Sequence, residues 1–387
     1  MVAQLGISEP RQPVLAVVGS KGKGTIATYA SAYLVAAGKH VVTVTSPGLR
    51  GVRDRIRFDG RSVSDAELGR LGRRVCEAYR QLPEYRSGDG YLSPSGLFIV
   101  AGVLYAQQKS SDIIVLEAGM GGVSDEISLF PPKVLAIAKI FGEHIGVLGD
   151  TPAEIARNKA GIVTADTRAV VSLPQGEDVS GALEETVATC SGKSVAVDFS
   201  PRGASGVPPA LLAPSLGRDN SEIGCVAAQR MLNVCNYAPP STEQVWKLLG
   251  SVTLPGRWSW HDIPRAGIQL FVDAAISRAG VAAALTEVLK RWGAVDHVLL
   301  CMPDHKDIDG AIVELGDMPV TYVRLTDKPR LTFSHSVPSA WETVDVAEIN
   351  VRFLQDRGRR IAVLGTGYFV ARMLALADVD TERLFTP

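Results

Sequence analysis

The sequence predicts an α/β protein in two parts, a doubly wound domain with a mostly parallel sheet and a smaller Rossmann-like domain at the C-terminal end. Three observations predict it. Short, wholly apolar runs alternate with helix-patterned stretches through the first half. The first apolar run ends in a glycine-rich turn that leads straight into a helical pattern. The alternation then restarts beyond residue 257. At 387 residues the chain exceeds what one ordinary core organises, so domains of 1–257 and 258–387 are expected.

Strands are expected at 14–18, 40–45, 112–117 and 134–140, each a short apolar run of the kind buried on both faces of a parallel sheet. Helices are expected between them, near 25–37, 64–79, 95–107 and 151–159, and 168–172 extends the sheet. Residues 174–219 are rich in Gly, Pro and Ser and receive no sheet assignment. Helices near 221–235 and 242–249 then precede Thr253-Leu254-Pro255-Gly256-Arg257, which reads as an interdomain hinge. In the second half, strands are expected at 269–273, 297–302, 320–325 and 360–364, with helices near 279–292, 346–356 and 369–375. Gly365-Thr366-Gly367 follows the last strand as half of a dinucleotide-binding pattern; lacking a third glycine, it reads as a turn.

Composition narrows the classes of function. Forty basic residues against 41 acidic ones leave a net charge of −1, which gives no electrostatic case for a nucleic-acid partner. The five cysteines are scattered and contain no C-x-x-C pair, so they read as reduced thiols rather than staples or a zinc site. No signal-like segment opens the chain and no apolar run approaches the roughly 18 residues of a membrane span. A soluble, cytoplasmic protein is expected. A protein partner is possible but not indicated.

The chemistry is expected at the carboxyl ends of the first four strands. The first delivers Gly19-Ser20-Lys21-Gly22-Lys23-Gly24-Thr25. Its small residues let backbone N–H groups approach phosphate oxygens, the following helix presents its positive end, Lys23 adds a point charge, and Thr25 offers a hydroxyl to magnesium. The loop departs from the usual G-x-x-x-x-G-K-[ST] spacing, and a glycine-rich turn with solvated lysines is its other reading. The second strand delivers Thr45-Ser46-Pro47, the third Glu117 and a glycine-rich run to Gly122, the fourth Gly142-Glu143-His144. Glu117 is placed where a nucleotide enzyme would hold magnesium, and His144 offers a nitrogen ligand. Lys159, near a helix end closed by Gly161, either complements the helix dipole or serves the site. Arg257 is either solvated or clamps phosphate oxygens from the hinge.

Taken in order, these motifs resemble the folylpolyglutamate synthase branch of the Mur ligase superfamily. The resemblance rests on Gly19 to Thr25, Thr45-Ser46-Pro47, Arg55-Ile56, and Leu116-Glu117-Ala118-Gly119-Met120-Gly121-Gly122 with Asp125. It continues through His144, Leu148-Gly149-Asp150-Thr151, Lys159-Ala160-Gly161-Ile162 and Leu254-Pro255-Gly256-Arg257, then Asp273, Asp304-His305-Lys306-Asp307 and Leu364-Gly365. It implies a P-loop ATPase domain and an ATP-dependent amide ligase, in which a carboxylate attacks the γ-phosphate and an amine displaces phosphate from the acyl phosphate. Carried over by motif, Lys23 and the loop amides would hold phosphates. Thr25, Ser46, Glu117 and His144 would serve Mg2+, Lys159 would be carbamylated, and Arg257 with Asp273 would contact the nucleotide.

The chain also departs from the family pattern. The Phe-Glu pair appears as Ser95-Gly96, the Arg after the Gly-Gly pair is Val123, and the Thr-Asn pair is Ile127-Ser128. The Asp-His pair is Glu143-His144. The His-Gln-x-x-Asn segment is Asp219-Asn220-Ser221-Glu222-Ile223, and only Asp273 and Ala275 of Asp-x-Ala-His-Asn-Pro are kept. Losses on the substrate side lead the reading towards a ligase that joins a small-molecule carboxylate and an amine on a non-folate substrate, such as an amino acid or specialised metabolite. A folylpolyglutamate or dihydrofolate synthase is the alternative, and a nucleotide-binding subunit without catalysis is the third.

Overall fold

A computed structural model describes residues 1–82, 92–193 and 195–387. The chain divides into two compact units: Met1–Gly48, Val52–Thr253 and Glu382–Pro387 form one, Leu49–Gly51 and Leu254–Thr381 the other. The first unit contains strands β1 (Val14–Val18), β2 (Val41–Val44), β3 (Ile56–Phe58), β4 (Arg61–Ser62), β5 (Ile113–Glu117), β6 (Val134–Ile137), β7 (Ala169–Ser172) and β8 (Val197–Phe199). Its helices are α1 (Val2–Leu5), α2 (Lys23–Ala36), α3 (Asp65–Arg80), α4 (Pro94–Lys109), α5 (Pro152–Ala160), α6 (Glu177–Cys190), α7 (Arg218–Val234) and α8 (Thr242–Leu249).

The eight strands lie in the order β4-β3-β2-β5-β1-β6-β7-β8. All neighbours from β2 to β8 are parallel, and the β3–β4 hairpin closes one edge antiparallel. Every residue of β1, β2, β5 and β6 is buried, as strands covered on both faces must be. From Thr25 to Ala36, α2 is buried on all sides. A Cβ on Gly224 of α7 would stand 2.6 Å from the Ile26 carbonyl oxygen, so only glycine lets the two helices meet this closely.

The second unit has strands β9 (Ser259–Ile263), β10 (Ile268–Asp273), β11 (His297–Cys301), β12 (Val320–Arg324), β13 (Glu342–Asp345) and β14 (Arg360–Gly365). Its helices are α9 (Arg278–Trp292), α10 (Ile308–Leu315), α11 (Val351–Gln355) and α12 (Gly367–Leu376). The sheet order is β13-β12-β11-β14-β10-β9, parallel except for β9. Alternate residues feed two cores, Leu270, Val272 and Leu299 in one, Phe271, Val298 and Leu300 in the other. Gly365 is where β14 meets β11: a Cβ there would lie 2.2 Å from the Cys301 carbonyl oxygen. Thr366 caps α12 directly after it.

The structure differs from the sequence expectations at several places. The segment 174–219 holds a full helix, α6, and an eighth strand, β8, which pairs with β7. The strand expected to reach residue 140 ends at Ile137. The helix expected over 346–356 is broken: a 3-10 turn at Val346–Glu348 is capped by Asp345, and Asn350 caps a fresh start at α11 by accepting from the Phe353 amide at 3.0 Å.

Candidate active site

The site is built at the carboxyl ends of β1, β2, β5 and β6. β1 ends in Gly19, whose φ of +132° and closeness to Ala138, 2.5 Å from a Cβ built on it, leave room for no other residue. The turn is tied down on the next strand's side: the Ser20 amide donates to the Lys139 carbonyl at 3.1 Å, and the Phe141 amide donates to Ser20 Oγ at 3.2 Å. Gly22, at φ +93°, is the N-cap of α2 and has no side chain to compete for the first-turn amides. Those amides of Lys23, Gly24 and Thr25 are the anion-binding end of the helix. Lys21 is half-buried beside them and Thr25 is buried. Lys23 Nζ donates to the Gly19 carbonyl at 3.0 Å and lies 3.5 Å from that of Ser20, folded back over its own loop.

Glu117, the last residue of β5, is 5 % exposed and its Oε2 accepts from the Ser46 amide at 3.0 Å. Glu117 Oε2 would lie 3.5 Å from a Cβ on Gly24, so the carboxylate stands against the first turn of α2. Ser46 follows β2 and precedes a cis peptide to Pro47, and Arg55 Nη1 donates to its hydroxyl at 3.4 Å. The glycines after Glu117 serve close approach. A Cβ on Gly122 would stand 2.5 Å from the Lys159 carbonyl oxygen and 2.6 Å from that of Asn158. Asn158 Oδ1 accepts from the Gly122 amide at 3.0 Å, which docks this loop on the end of α5. Asp125 is buried and accepts from the amides of Met120 at 2.7 Å and Ile127 at 3.0 Å; burial nevertheless pushes its carboxyl above the ordinary aspartate range.

Lys159 does not behave as a solvated helix-end lysine. It is 1 % exposed, its Nζ lies 2.9 Å from Glu143 Oε1, and it donates to the Gly19 carbonyl at 3.0 Å. Two ammonium groups, Lys23 and Lys159, thus share one carbonyl oxygen. Burial pulls the Lys159 pKa down, and the charge on Lys23 adds to the fall against the opposing attraction of Glu143.

His144 is placed differently from the expectation of a strand tip. β6 stops at Ile137, and His144 sits seven residues later, exposed, at φ +49° in a loop. Its carbonyl accepts from the amides of Val147 and Leu148. Glu143, expected beside His144 at the fourth strand tip but given no role there, reaches the buried lysine instead. Asn158 had no signal beyond its place next to Lys159. Arg257 and Asp273 belong to the second unit. There the amide of Trp258, the residue after Arg257, donates to Asp273 Oδ1 at 2.9 Å. Arg257 itself is exposed.

Among the described residues no three His, Cys, Asp or Glu side chains gather as metal ligands. Magnesium does not require such a cage, because it binds through one or two carboxylates, hydroxyls, waters and the phosphates of a nucleotide. A buried carboxylate at Glu117 beside the turn that carries Thr25, with Ser46 adjacent, is a donor set of that hard-oxygen type.

No family model matches the chain. A probable bifunctional folylpolyglutamate synthase/dihydropteroate synthase of Haloferax volcanii is 37% identical over 188 residues, covering 48% of this chain and 22% of that protein. A dihydrofolate synthase/folylpolyglutamate synthase of Mycobacterium tuberculosis is 26% identical over 343 residues, covering 80% of this chain and 69% of the relative. The chain spans about a quarter of the length of the first curated relatives it matches, 22% and 25%. Among solved structures, the Mycobacterium tuberculosis folylpolyglutamate synthase complexed with ADP and AMPPCP superposes with a TM-score of 0.76 at 21% identity. That superposition covers 98% of this chain and 94% of the other. The homologues and structural neighbours of this chain are folylpolyglutamate and dihydrofolate synthases, members of the Mur ligase superfamily, and the chain shares their fold.

Proposed function

We propose that this protein is an ATP-dependent ligase of the folylpolyglutamate/dihydrofolate synthase type, joining the carboxylate of a pteroyl-class acid to an amino acid amine. The non-folate substrate favoured by the sequence departures finds no support among the relatives, whose names favour the folate alternative. The observation that carries the reading is the convergence of the phosphate loop, Glu117 and Ser46 on the start of α2.

ATP with Mg2+ supplies the phosphoryl group that makes a carboxylate reactive towards an amine. The chain's own part is positioning and neutralisation of anions that otherwise repel. The first-turn amides of α2 and the ammonium of Lys23 bind phosphate oxygens. Glu117, with the hydroxyls of Thr25 and Ser46, would hold the divalent ion, whereas His144 sits on an exposed loop seven residues beyond β6. Lys159 holds a positive charge beside the Gly19 carbonyl. A carbamate on Lys159 finds no support in these contacts, because it would set an anion against both the Glu143 carboxylate and that carbonyl. No helix among the described residues is long and apolar enough to cross a membrane. All five cysteines are unpaired thiols, which fits a cytoplasmic location.

The test is ADP release by the purified protein with Mg-ATP, glutamate and either dihydropteroate or a reduced folate, followed by the product mass. Amine-dependent ADP release with a pteroyl acid is expected. Release only with other carboxylic acids would restore the non-folate reading, and tight ATP binding without turnover on any acid would favour a non-catalytic subunit.

A further inference from the structure

We propose that Asn220, in the first turn of α7, is a positioning residue that sets the phosphate loop for an organic polyphosphate; the proposal rests on reading that loop as a nucleotide cradle. The carboxamide lies flat against Gly22. A Cβ built on that glycine would stand 2.2 Å from Asn220 Oδ1, 2.3 Å from Cγ and 2.5 Å from Nδ2. Gly22 is the left-handed N-cap of α2 and immediately precedes Lys23, so a shift of Asn220 is passed to the residue that aims both the first-turn amides and the lysine. The carboxamide is itself fixed, because Nδ2 donates to the Leu216 carbonyl at 3.1 Å. One turn further on, Gly224 locks α7 against α2, where an added Cβ would stand 2.6 Å from the Ile26 carbonyl oxygen and 3.0 Å from Tyr29 Cβ.

The choice of side chain carries the argument further. Asn220 Oδ1 is buried and accepts no hydrogen bond. A buried acceptor without a donor is costly, so packing alone would favour an apolar residue of the same shape. Aspartate has the same shape, but it would set a full negative charge against a cradle for phosphates. A neutral carboxamide, held by Nδ2 on the Leu216 carbonyl, packs against Gly22 without adding charge to the loop. The position also differs from that of Ile223, which stands where the family pattern has its asparagine and is wholly buried. Asn220 therefore acts through the loop and does not replace that contact.

Calorimetric titration of the full chain with Mg2+ and AMP, ADP or ATP tests this, on wild type, Asn220→Ala and Asn220→Asp, with melting temperatures measured alongside. Asn220→Ala should weaken ATP and ADP by about tenfold while leaving AMP unchanged, because only the outer phosphates depend on the loop. Asn220→Asp should show a loss that grows with each added phosphate. Equal losses for all three nucleotides, or wild-type affinity in both variants, would overturn the proposal and reduce Asn220 to a packing residue. Should Asn220→Asp fail to fold, the ATP-to-AMP ratio of Asn220→Ala decides alone. A wild type that binds none of the three overturns the nucleotide reading itself, and this inference with it.

Discussion

Lys23 is the residue on which the proposed chemistry turns. Its ammonium rests on the Gly19 and Ser20 carbonyls, where a phosphate oxygen would take over a charge already placed beside the loop. Lys23→Ala should lower ADP release by on the order of a hundredfold or more, with little change in melting temperature, because the side chain is only part-buried. Glu67 offers a check of a different kind. Burial would raise its pKa, but hydrogen bonds from Lys109, Ser64 and Tyr105 outweigh it and hold the carboxyl down at about 2. A carboxylate depressed in the folded state stabilises it above the ordinary glutamate range, and that share is lost as pH falls towards the folded value. Glu67→Gln should therefore flatten the acid limb of the stability curve between the ordinary glutamate range and about pH 2, measured by urea unfolding at a series of pH values. A variant as steeply pH-dependent as wild type over that window would show that the three donors do not hold the charge.

Helices and strands were legible where a single physical pattern ran unbroken. β1 reads residue for residue as Val14–Val18 because five consecutive apolar residues end at a glycine, and α8 reads as Thr242–Leu249 because Ser241 and Gln244 form a capping box. The misses have equally physical causes. α6 lay inside a stretch judged by its average Gly, Pro and Ser content, although its own residues contain no proline. The β3–β4 hairpin is only five residues of strand joined by Asp59-Gly60, a turn signal that passed unread because the flanking runs carry arginines. Those arginines are accommodated: Arg57 is buried and donates to the carbonyls of Gly60 and Glu382 at 3.2 and 2.9 Å. In the candidate site, the positions of the glycine-rich loop and Glu117 are legible because each sits at a strand tip. The Lys159–Glu143 pair is not, since it depends on where a loop folds back. The α2–α7 contact gives the element-scale prediction. Gly224→Val should destabilise the protein by about 1–3 kcal/mol, read as a fall in the denaturation midpoint, because a branched side chain must displace the Ile26 carbonyl or Tyr29.

At the scale of the molecule, the last six residues belong to the first unit although the preceding stretch belongs to the second. They run along the hairpin edge: the Ser62 amide donates to the Glu382 carbonyl at 2.7 Å, the Leu384 amide to the Gly60 carbonyl at 3.0 Å, and the Thr253 amide to the Leu384 carbonyl at 2.7 Å. Phe385 is buried against Gly60. Deleting residues 382–387 should cost at least about 3 kcal/mol of stability, through two buried apolar side chains and the Glu382 acceptor of Arg57. Unchanged unfolding of the truncated protein would show that the tail is dispensable.

That returning tail has a practical corollary for anyone dissecting the gene. A stop codon after Thr253 would release a first half missing its finishing ribbon, with Gly60 and Thr253 stripped of their partners. A faithful excision would have to splice residues 382–387 back on, so independent inheritance of either half, by recombination or by engineering, demands more than one breakpoint.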